Sequence, residues 1–555
     1  MIRHMSPARL LAGFLFLLPV WGFAAPLSDD QIRLKQQQQL DRLREQQQRA
    51  PDVFIAPPAS APASAVAPGG PCFTVRQVAL DGVPADWLAW LMPLTQRAVG
   101  RCLDVGAINQ LVASLTDAIV ARGFVTSRVY VPEQNLQSGQ LHLVVLPGRI
   151  QAIRRKDGSA RRELDSAFPS GPGDLLNVRD LEQGLEQLQR PGSQQATMEL
   201  VPGDTPGESI VEVTLTQARP LHASLAVENS GQTSTGKNQL TAQVVADDLL
   251  QLNDVLTLNQ SQDAGAFSHL GSQAQTVSWL VPWGNWSAFA SYSTSGYRQT
   301  VDTGLQQLDS TGLSRNSQFT LTRLLHRDQT SKTELALSLT HKAARSFIEG
   351  SELVTQRQDL SYLGLQLNHR HYLGDSVLNA SLGYSRGVPL WGGQDDSLAT
   401  LGGPTARPEI YSASLDWRLP WQAFGQQGAY SVGLKGQYSP SLLFATDQFG
   451  VGGHYTVRGF DADSLDGNNG WSWRNELSWT LGASGWEAYL GLDAGQVGGS
   501  PGNTLSTQRI SGGAIGLRAN LGGHLSADLS HEQPLTLPDG WARQSITHFN
   551  LTLQW

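Results

Sequence analysis

The chain has 555 residues, with 40 Lys and Arg against 48 Asp and Glu, so its formal net charge is −8 and only 16% of its residues are charged. The length suggests about three domains. Because there is no excess of basic residues, the composition argues against a nucleic-acid partner.

Residues 1–24 have the pattern of a secretory signal peptide. Arg3 and Arg9 supply positive charge, an apolar run covers 10–23, and a small-x-small cleavage site ends at Ala24, with Ala25 as an alternative. This run is shorter than the roughly 20 residues that a spanning helix needs. No later stretch has 18 consecutive apolar residues. We therefore expect an exported chain without a transmembrane helix, which can still span a membrane as a closed barrel.

The two cysteines of the chain, Cys72 and Cys102, lie 30 positions apart. Export to an oxidising compartment makes a disulfide between them plausible. The alternative is two unrelated buried thiols.

Two segments without core-forming patterns follow the cleavage site. Residues 25–49 predict a Gln-rich helix that starts after the N-cap Ser28 and carries Asp29 and Asp30 at its positive end. Because this helix is polar nearly all round, it cannot dock on an apolar core and is a solvated arm, a weak coiled coil or a plug in a polar pore. Residues 50–71, rich in Ala, Pro and Ser, predict an extended, largely disordered linker.

Residues 72–148 and 149–219 predict two α/β units with the same β-α-α-β-β order. In the first unit, a strand over 73–80 precedes helices over 86–97 and 108–122 and strands over 125–131 and 140–146. In the second unit, a strand over 150–154 precedes a helix around Leu181, Leu185 and Leu188 and closing strands over 196–201 and 210–216. The similarity of pattern indicates an internal repeat.

Residues 220–555 alternate between apolar and polar positions up to the terminal Trp555. Examples are Leu335, Leu337 and Leu339, and Tyr411, Ala413, Leu415, Trp417 and Leu419, with polar or small residues between them. This dyad pattern is typical of a barrel with a lipid-facing outside and a polar lumen. A soluble sandwich also alternates, but 336 residues would need two domains, and no boundary is apparent.

A long Gly-, Asp- and Asn-rich loop, 451–471, interrupts the late strands and contains Val457-Arg458-Gly459-Phe460. Such a loop is either solvated or folded into a polar interior. Asp493 follows 35 residues after Arg458, on a strand whose Leu490 and Leu492 occupy the alternate positions. The alternation therefore places Asp493 on the lumen side, where such a loop could fold.

These features together resemble the two-partner secretion transporters (type Vb), which belong to the outer-membrane assembly superfamily. The resemblance covers nearly all of the mature chain. Its strings in the first unit are Pro71-Cys72-Phe73, Gly100-Arg101-Cys102-Leu103, Arg122-Gly123-Phe124-Val125-Thr126-Ser127-Arg128 and Pro147-Gly148-Arg149-Ile150, and the late loop adds Val-Arg-Gly-Phe.

The resemblance implies a fold and a location. It implies a membrane β-barrel of about 16 antiparallel strands, preceded by two periplasmic polypeptide-transport-associated (POTRA) domains and an N-terminal plug helix in the resting pore. The 336 residues after Arg219 leave 21 per strand and loop, enough for strands of about 9–11 residues with turns. It also implies the outer membrane of a Gram-negative bacterium, with the POTRA domains in the periplasm.

The resemblance also carries site residues over to this chain. Val457, Arg458, Gly459 and Phe460 match the loop tip of the family, and its Phe-x-Gly-x-Asp motif reads Tyr489-Leu490-Gly491-Leu492-Asp493 here, with Tyr in place of Phe. Gly491 and Gly495 leave room on the lumen face for a loop. We expect Arg458 and Asp493 to form a bidentate ion pair that anchors the loop inside the barrel.

Catalytic and cofactor motifs give no comparable pattern. Gly498-Gly499-Ser500-Pro501-Gly502 matches G-x-S-x-G, but proline follows the serine and no helix comes after it, so we interpret it as a loop. The 12 histidines are scattered, and His369 and His371 share a strand face as lumen lining rather than as a metal site. We expect a non-enzyme without metal or cofactor.

The resemblance implies that the chain exports a large unfolded exoprotein, such as a haemolysin, an adhesin or a contact-dependent toxin. The N-terminal region of that partner would bind the POTRA units, for which the second helix of the first unit (Ile108, Leu111, Leu115 and Arg122) is a candidate surface. An assembly factor for other barrels is the alternative, but those relatives have three to five POTRA units. A diffusion channel would need none.

Overall fold

The computed structural model describes residues 53–55, 71–158, 162–231, 234–265, 271–302, 306–423, 425–460, 464–482, 485–499 and 507–555. The predicted signal peptide (1–24), the N-terminal helix (25–49) and most of the linker (50–71) lie outside these ranges. Ser500 of the G-x-S-x-G string also lies outside them.

The first α/β unit is a three-stranded sheet covered by two helices. Its elements are β1 Phe73–Thr74, β2 Gln77–Asp81, α1 Ala85–Gln96, β3 Cys102–Leu103, α2 Val105–Ala121, β4 Arg128–Tyr130 and β5 Gln140–Leu146. The sheet order is β2-β5-β4, with β2 parallel to β5. Its core is apolar and includes Trp87, Leu91, Leu115, Ile119, Leu141 and Leu143.

The strand predicted over 73–80 is divided into two pieces that pair with different partners. Phe73–Thr74 pairs with Cys102–Leu103 as a small ribbon, whereas Gln77–Asp81 joins the main sheet. Between them, the Val75 amide donates to the Arg101 carbonyl and the Gly100 amide donates to the Val75 carbonyl. The ribbon, which alternation alone could not reveal, therefore turns the chain away from the sheet.

A disulfide joins Cys72 to Cys102 at the end of this ribbon, with their Cα atoms 5.3 Å apart. The bond closes a loop with a sequence separation of 30 that contains α1. Closing a loop of this length restricts the unfolded chain and stabilises the domain by about 3–4 kcal/mol.

The double replacement Cys72→Ser/Cys102→Ser is therefore expected to destabilise the first unit while leaving the barrel folded. We expect limited proteolysis of the whole protein to cut within residues 72–148 much faster than in the wild type, with the barrel fragment still protected. Equal cleavage rates in the two proteins would show that the disulfide adds no stability.

The second α/β unit repeats the topology of the first. Its elements are β6 Arg149–Arg155, α3 Arg162–Ala167, α4 Val178–Leu188, β7 Gln194–Pro202 and β8 Glu208–Gln217, with sheet order β6-β8-β7 and β6 parallel to β8. The Asn177 side chain accepts a hydrogen bond from the Arg179 amide and so caps α4. The short helix α3 occupies the first helix position of the predicted β-α-α-β-β order, for which the sequence analysis located no segment.

Residues 221–554 form a closed antiparallel barrel, as predicted. Its sixteen wall strands are β9 Leu221–Glu228, β10 Gln239–Asp247, β11 Val255–Asp263, β12 Gly271–Trp283, β13 Trp286–Asp302, β14 Gln307–Arg327, β15 Ser331–Ile348, β17 Gln358–Leu373, β18 Ser376–Gly387, β19 Glu409–Ala423, β20 Gln426–Tyr438, β23 Asn469–Thr480, β24 Trp486–Gly498, β25 Gln508–Leu521, β26 Leu525–Thr536 and β27 Ile546–Gln554. Short elements in the connections are β16 Ser351–Glu352, α5 Ser397–Thr400, β21 Phe449–Val451 and β22 Leu465–Gly467.

The two faces of the barrel wall differ as the alternation predicts. Leu382, Leu492 and Ile515 are more than half exposed on the outside, whereas Asn316 and Asp493 are buried on the inside. The barrel closes where β27 pairs with β9, between Asn550–Glu228 and Gln554–Ser224. Among the described residues, no helix is both long enough and apolar enough to cross a membrane.

Candidate functional site

A loop between β20 and β23 folds into the barrel lumen. A small hairpin forms its stem, and Arg458 lies in the tip between the two hairpin strands. The hairpin pairs Phe449–Val451 (β21) with Leu465–Gly467 (β22). An apolar cluster holds the loop against the wall, formed by Val451, Val457, Phe460, Leu465, Val497 and Ile510, with Phe449, Leu537 and Trp541 packed around them. The loop at 451–471 is thus packed rather than solvated where the structure describes it.

Arg458 at the loop tip is fully buried and has several hydrogen-bond acceptors. Its Nε and Nη2 donate to the two carboxylate oxygens of Asp493 at 2.7 and 2.9 Å, and its Nη1 donates to Glu476 at 2.8 Å. Its backbone amide also donates to Asp493, at 3.1 Å, and Nη2 donates to the Asn475 carbonyl at 2.9 Å. A bidentate ion pair that is supported by these further hydrogen bonds fixes both the position and the orientation of the loop tip.

Glycines on the wall create the space that the Arg458 side chain and backbone occupy. A Cβ atom on Gly491 would lie 2.2 Å from Nη2 of Arg458, and one on Gly512 would lie 1.8 Å from the Arg458 carbonyl oxygen. Gly459 has φ +95°, a conformation that residues with a side chain rarely adopt. The close approach of loop and wall therefore requires glycine on both sides.

A Gly512→Ala variant is expected to push the loop tip off the wall and lower export about as much as loss of Arg458 would. The new methyl group would collide with backbone, which cannot rotate away. Gly513→Ala is the matched control, because its Cβ would have no atom closer than 3.6 Å. The readout is the amount of partner in the medium; equal export by both variants would contradict the requirement for close contact.

A second carboxylate, Glu532 on β26, also holds the loop and was missed by the sequence analysis. It accepts hydrogen bonds from the Gly459 amide at 3.0 Å and from His454 Nδ1 at 2.5 Å. Glu532 alternates with the exposed positions of β26, so its lumen-facing position was available from the sequence. The sequence held no signal that pairs it with this loop.

The loop also contacts the place where the barrel closes. The Tyr455 hydroxyl donates to Glu228 on β9 at 3.0 Å, and Asn550 on β27 donates to the same carboxylate at 3.1 Å. The rings of His454 and His548 stack with centroids 3.6 Å apart. The loop therefore contacts both strands of the closing pair as well as β23 to β26.

The predicted partner surface on the second helix of the first unit needs correction. Ile108 and Leu115 are 5% and 0% exposed and belong to the domain core, so they cannot contact a partner of the folded domain. Leu111 packs against the same core. The Arg122 guanidinium lies 4.1 Å from the centroid of the Trp90 ring, within the same unit. Their helical periodicity identifies the inward face of α2.

The second unit docks on one end of the barrel through the polar residues of α4. Glu186 forms ion pairs with Arg327 and with Lys332, the latter at 2.6 Å. Gln183 and Gln187 donate hydrogen bonds to the Gly284 carbonyl at 3.3 and 2.9 Å. We call this set of contacts the junction; it fixes the second unit at the mouth of the barrel.

Glu186 keeps its negative charge at this buried place. Burial by itself would raise its pKa, but the positive charges of Lys332 and Arg327 outweigh burial and lower the pKa to about 2. A lowered pKa stabilises the junction above the ordinary value of 4.5, and this contribution disappears as the pH falls towards 2.

The wild type is therefore expected to unfold at a higher temperature than Glu186→Gln. This difference in unfolding temperature should have its largest value at pH 6 and should decrease between pH 4.5 and 2. Thermal unfolding of both detergent-solubilised proteins across this range measures it. A difference that stays constant down to pH 2 would show that the Glu186 charge does not stabilise the junction.

The described residues provide no candidate metal site. No group of three or more His, Cys, Asp or Glu in that part of the chain could hold a metal ion. His369 and His371 lie side by side with ring centroids 5.8 Å apart, and His369 Nδ1 is 2.9 Å from the Thr333 hydroxyl. The two rings are stacked on one barrel strand, and His369 forms its hydrogen bond with Thr333 on the neighbouring strand.

Comparisons with known proteins agree with this architecture. The sequence model of the haemolysin secretion/activation proteins ShlB/FhaC/HecB matches residues 207–519, a POTRA domain of ShlB type matches 73–148, and a further POTRA domain matches 149–202. The outer membrane transporter CdiB-2 of Burkholderia pseudomallei is 33% identical over 96% of both chains, and the hemolysin transporter protein ShlB of Serratia marcescens is 28% identical over 90% of both.

Solved structures give the same result. CdiB from Escherichia coli superposes with a TM-score of 0.85 at 29% identity, over 96% of this chain and 99% of that one. CdiB from Acinetobacter baumannii has a TM-score of 0.83 at 25% identity, over 96% and 100%. The chain thus belongs to the haemolysin secretion/activation protein family ShlB/FhaC/HecB and is a two-partner secretion transporter of the outer membrane, not an enzyme.

Proposed function

We propose that this transporter passes its large exoprotein partner, unfolded, through the barrel lumen, and that the loop anchored by Arg458 stays as a fixed part of the lumen wall. The observation that carries the proposal is the complete burial of Arg458 in a two-point pair with Asp493. The predicted domain boundaries at 72–148, 149–219 and 220–555 are part of this proposal.

The lumen suits an unfolded chain because its wall offers hydrogen-bonding groups. A passing polypeptide carries backbone amides and carbonyls that need partners, which lipid cannot supply. Ser381 and Ser414 meet across neighbouring strands on the inner face, with their hydroxyl oxygens 2.7 Å apart, while Leu382 is 63% exposed on the outer face. The inner face is therefore the polar route across the membrane.

The anchor is strong enough to persist while a chain passes. Removing one partner of a buried, hydrogen-bonded ion pair costs about 3–5 kcal/mol. An anchored arrangement that satisfies both charges is therefore favoured over one that leaves either of them buried alone. The loop then narrows the lumen by a constant amount, and direction comes from folding of the exoprotein outside the cell.

The route can be tested with photo-crosslinking amino acids at two neighbouring positions of β18. The partner is stalled during export by a tightly folded domain fused to its C-terminus. A crosslinker at Ser381, on the inner face, is expected to capture the stalled partner, whereas one at Leu382, on the lipid face, is not. Capture from Leu382 alone, or from neither position while the stalled partner accumulates, would contradict passage through the lumen.

A further inference from the structure

A three-residue segment of the linker, Val53–Ile55, is bound at the junction between the second POTRA domain and the barrel. The Val53 carbonyl accepts a hydrogen bond from Arg327 Nη2 at 2.8 Å, and the Ile55 amide donates to the Glu182 carboxylate at 2.7 Å. Between them, the Phe54 ring meets the Tyr372 ring edge to face, with centroids 4.7 Å apart. We call Val53–Ile55 the clasp.

The clasp uses the same charged residues that hold the domain on the barrel. Arg327 and Glu182 are almost completely buried, and they also form an ion pair with each other at 3.5 Å. The side chains of Val53 and Ile55 pack against the core of the second domain. The clasp therefore bridges the POTRA domain and the barrel rim, and it contributes backbone groups to a network of buried charges.

The sequence around the clasp explains why this segment can dock as an extended strand. Pro51 precedes it and Pro57 follows it, and proline favours extended backbone. Phe54 is the only aromatic residue in the linker 50–71. The junction thus selects an aliphatic–aromatic–aliphatic peptide from a linker made mainly of Ala, Pro and Ser.

The docking is shallow enough to be reversible. The three residues of the clasp must be ordered when they dock, and ordering each one opposes binding. Phe54 remains 44% exposed, so a large part of the aromatic side chain is not buried by Tyr372. A segment held by two charge-assisted hydrogen bonds and a partly exposed ring can be displaced by a similar segment at high local concentration.

We propose that the clasp is a reversible inhibitory contact at the periplasmic entrance, which an extended apolar segment of the incoming exoprotein displaces. Release of the clasp frees the Arg327 guanidinium, the Glu182 carboxylate and the Tyr372 ring for a similar segment. An unfolded exoprotein offers the required chemistry: free backbone groups beside an aromatic residue with aliphatic neighbours. This inference rests on the proposed export through the lumen.

The first test locks the clasp by a disulfide between Phe54→Cys and Tyr372→Cys in the full-length transporter in cells. With export normalised to that of the wild type in the same condition, which corrects for opening of the Cys72–Cys102 bond, the oxidised form is expected to export the partner at least tenfold less than the same protein after reduction. The control lock joins Leu367→Cys to Leu382→Cys, which face each other on β17 and β18 on the outer face of the barrel and do not contact the clasp, and it is expected to leave export within twofold. Equal export by the locked and reduced clasp proteins would overturn the proposal.

Export by the reduced protein distinguishes failure of the clasp proposal from failure of the proposed export function. If it does not export the partner while the single variant Phe54→Cys does, the double variant is damaged, and the labelling test below decides. If wild-type, single and reduced proteins all fail to export, the proposed function is wrong rather than the clasp.

The second test needs no lock. In an Ile55→Cys variant, the thiol packs against the domain core, and its labelling by a maleimide reports release of the clasp. Labelling is expected to become at least fivefold faster when the partner is co-expressed. Unchanged labelling during measurable export would show that the clasp stays bound while the exoprotein passes.

Discussion

Replacing Arg458 with alanine is expected to lower export of the partner at least tenfold while the barrel still inserts into the outer membrane. The substitution leaves Asp493 buried without its bidentate partner, and an uncompensated buried charge costs about 3–5 kcal/mol. The loop tip would leave the wall, yet the strand pairing of β23 to β26 does not depend on it. Partner in the medium and barrel in the outer-membrane fraction are measured together.

Two further variants sharpen this prediction. Arg509→Ala removes the same side-chain type from an exposed position on β25, where it donates to Gln496 and lies 5.9 Å from the Trp471 ring centroid, away from the loop tip, and export should not change. Arg458→Lys keeps the charge but loses the planar guanidinium that donates to both carboxylate oxygens of Asp493, so it is expected to restore little export. Full export by Arg458→Ala would show that export does not need the loop anchor.

Loss of Arg327 is expected to have the second-largest effect, because this residue links three parts of the molecule. It pairs with Glu186 on α4, donates to Gln183 and holds the Val53 carbonyl. Arg327→Ala leaves buried carboxylates with fewer cations and weakens the junction by several kcal/mol. We expect hydrogen exchange in Val178–Leu188 to accelerate at least tenfold.

Arg323→Ala on the same strand is the control for this variant. Arg323 is exposed, and its guanidinium lies 5.0 Å from the Trp286 ring centroid, away from α4. Exchange in α4 should not change in this control. If Arg327→Ala gives the same exchange rates as Arg323→Ala, the ion pairs of the junction do not hold the POTRA domain on the barrel.

The barrel and the position of Asp493 could be predicted because a strand that separates lipid from a polar lumen has a period of two. The outward positions Leu490 and Leu492 place Gly491, between them, and Asp493, directly after them, on the lumen side. Gly491 was also informative, since a residue without a side chain on a lumen face indicates close approach of another segment. These are local properties of one strand.

The junction could not be predicted because its partners are distant in sequence. The polar side of α4 has the composition of a solvated helix face. It is buried by partners far along the chain, such as Arg327 and Lys332, which lie 141 and 146 residues after Glu186. The clasp had no signal for the same reason. The candidate partner surface was wrong in part because helical periodicity in Ile108 and Leu115 marks a core, which a partner cannot reach.

The most direct test of export by this chain is the secreted proteome of cells with and without it, with the neighbouring reading frame co-expressed. We predict that one large protein disappears from the medium and is retained or degraded in the periplasm, while other outer-membrane barrels keep their abundance. An unchanged medium together with a general decline of outer-membrane barrels would contradict export and identify an assembly factor.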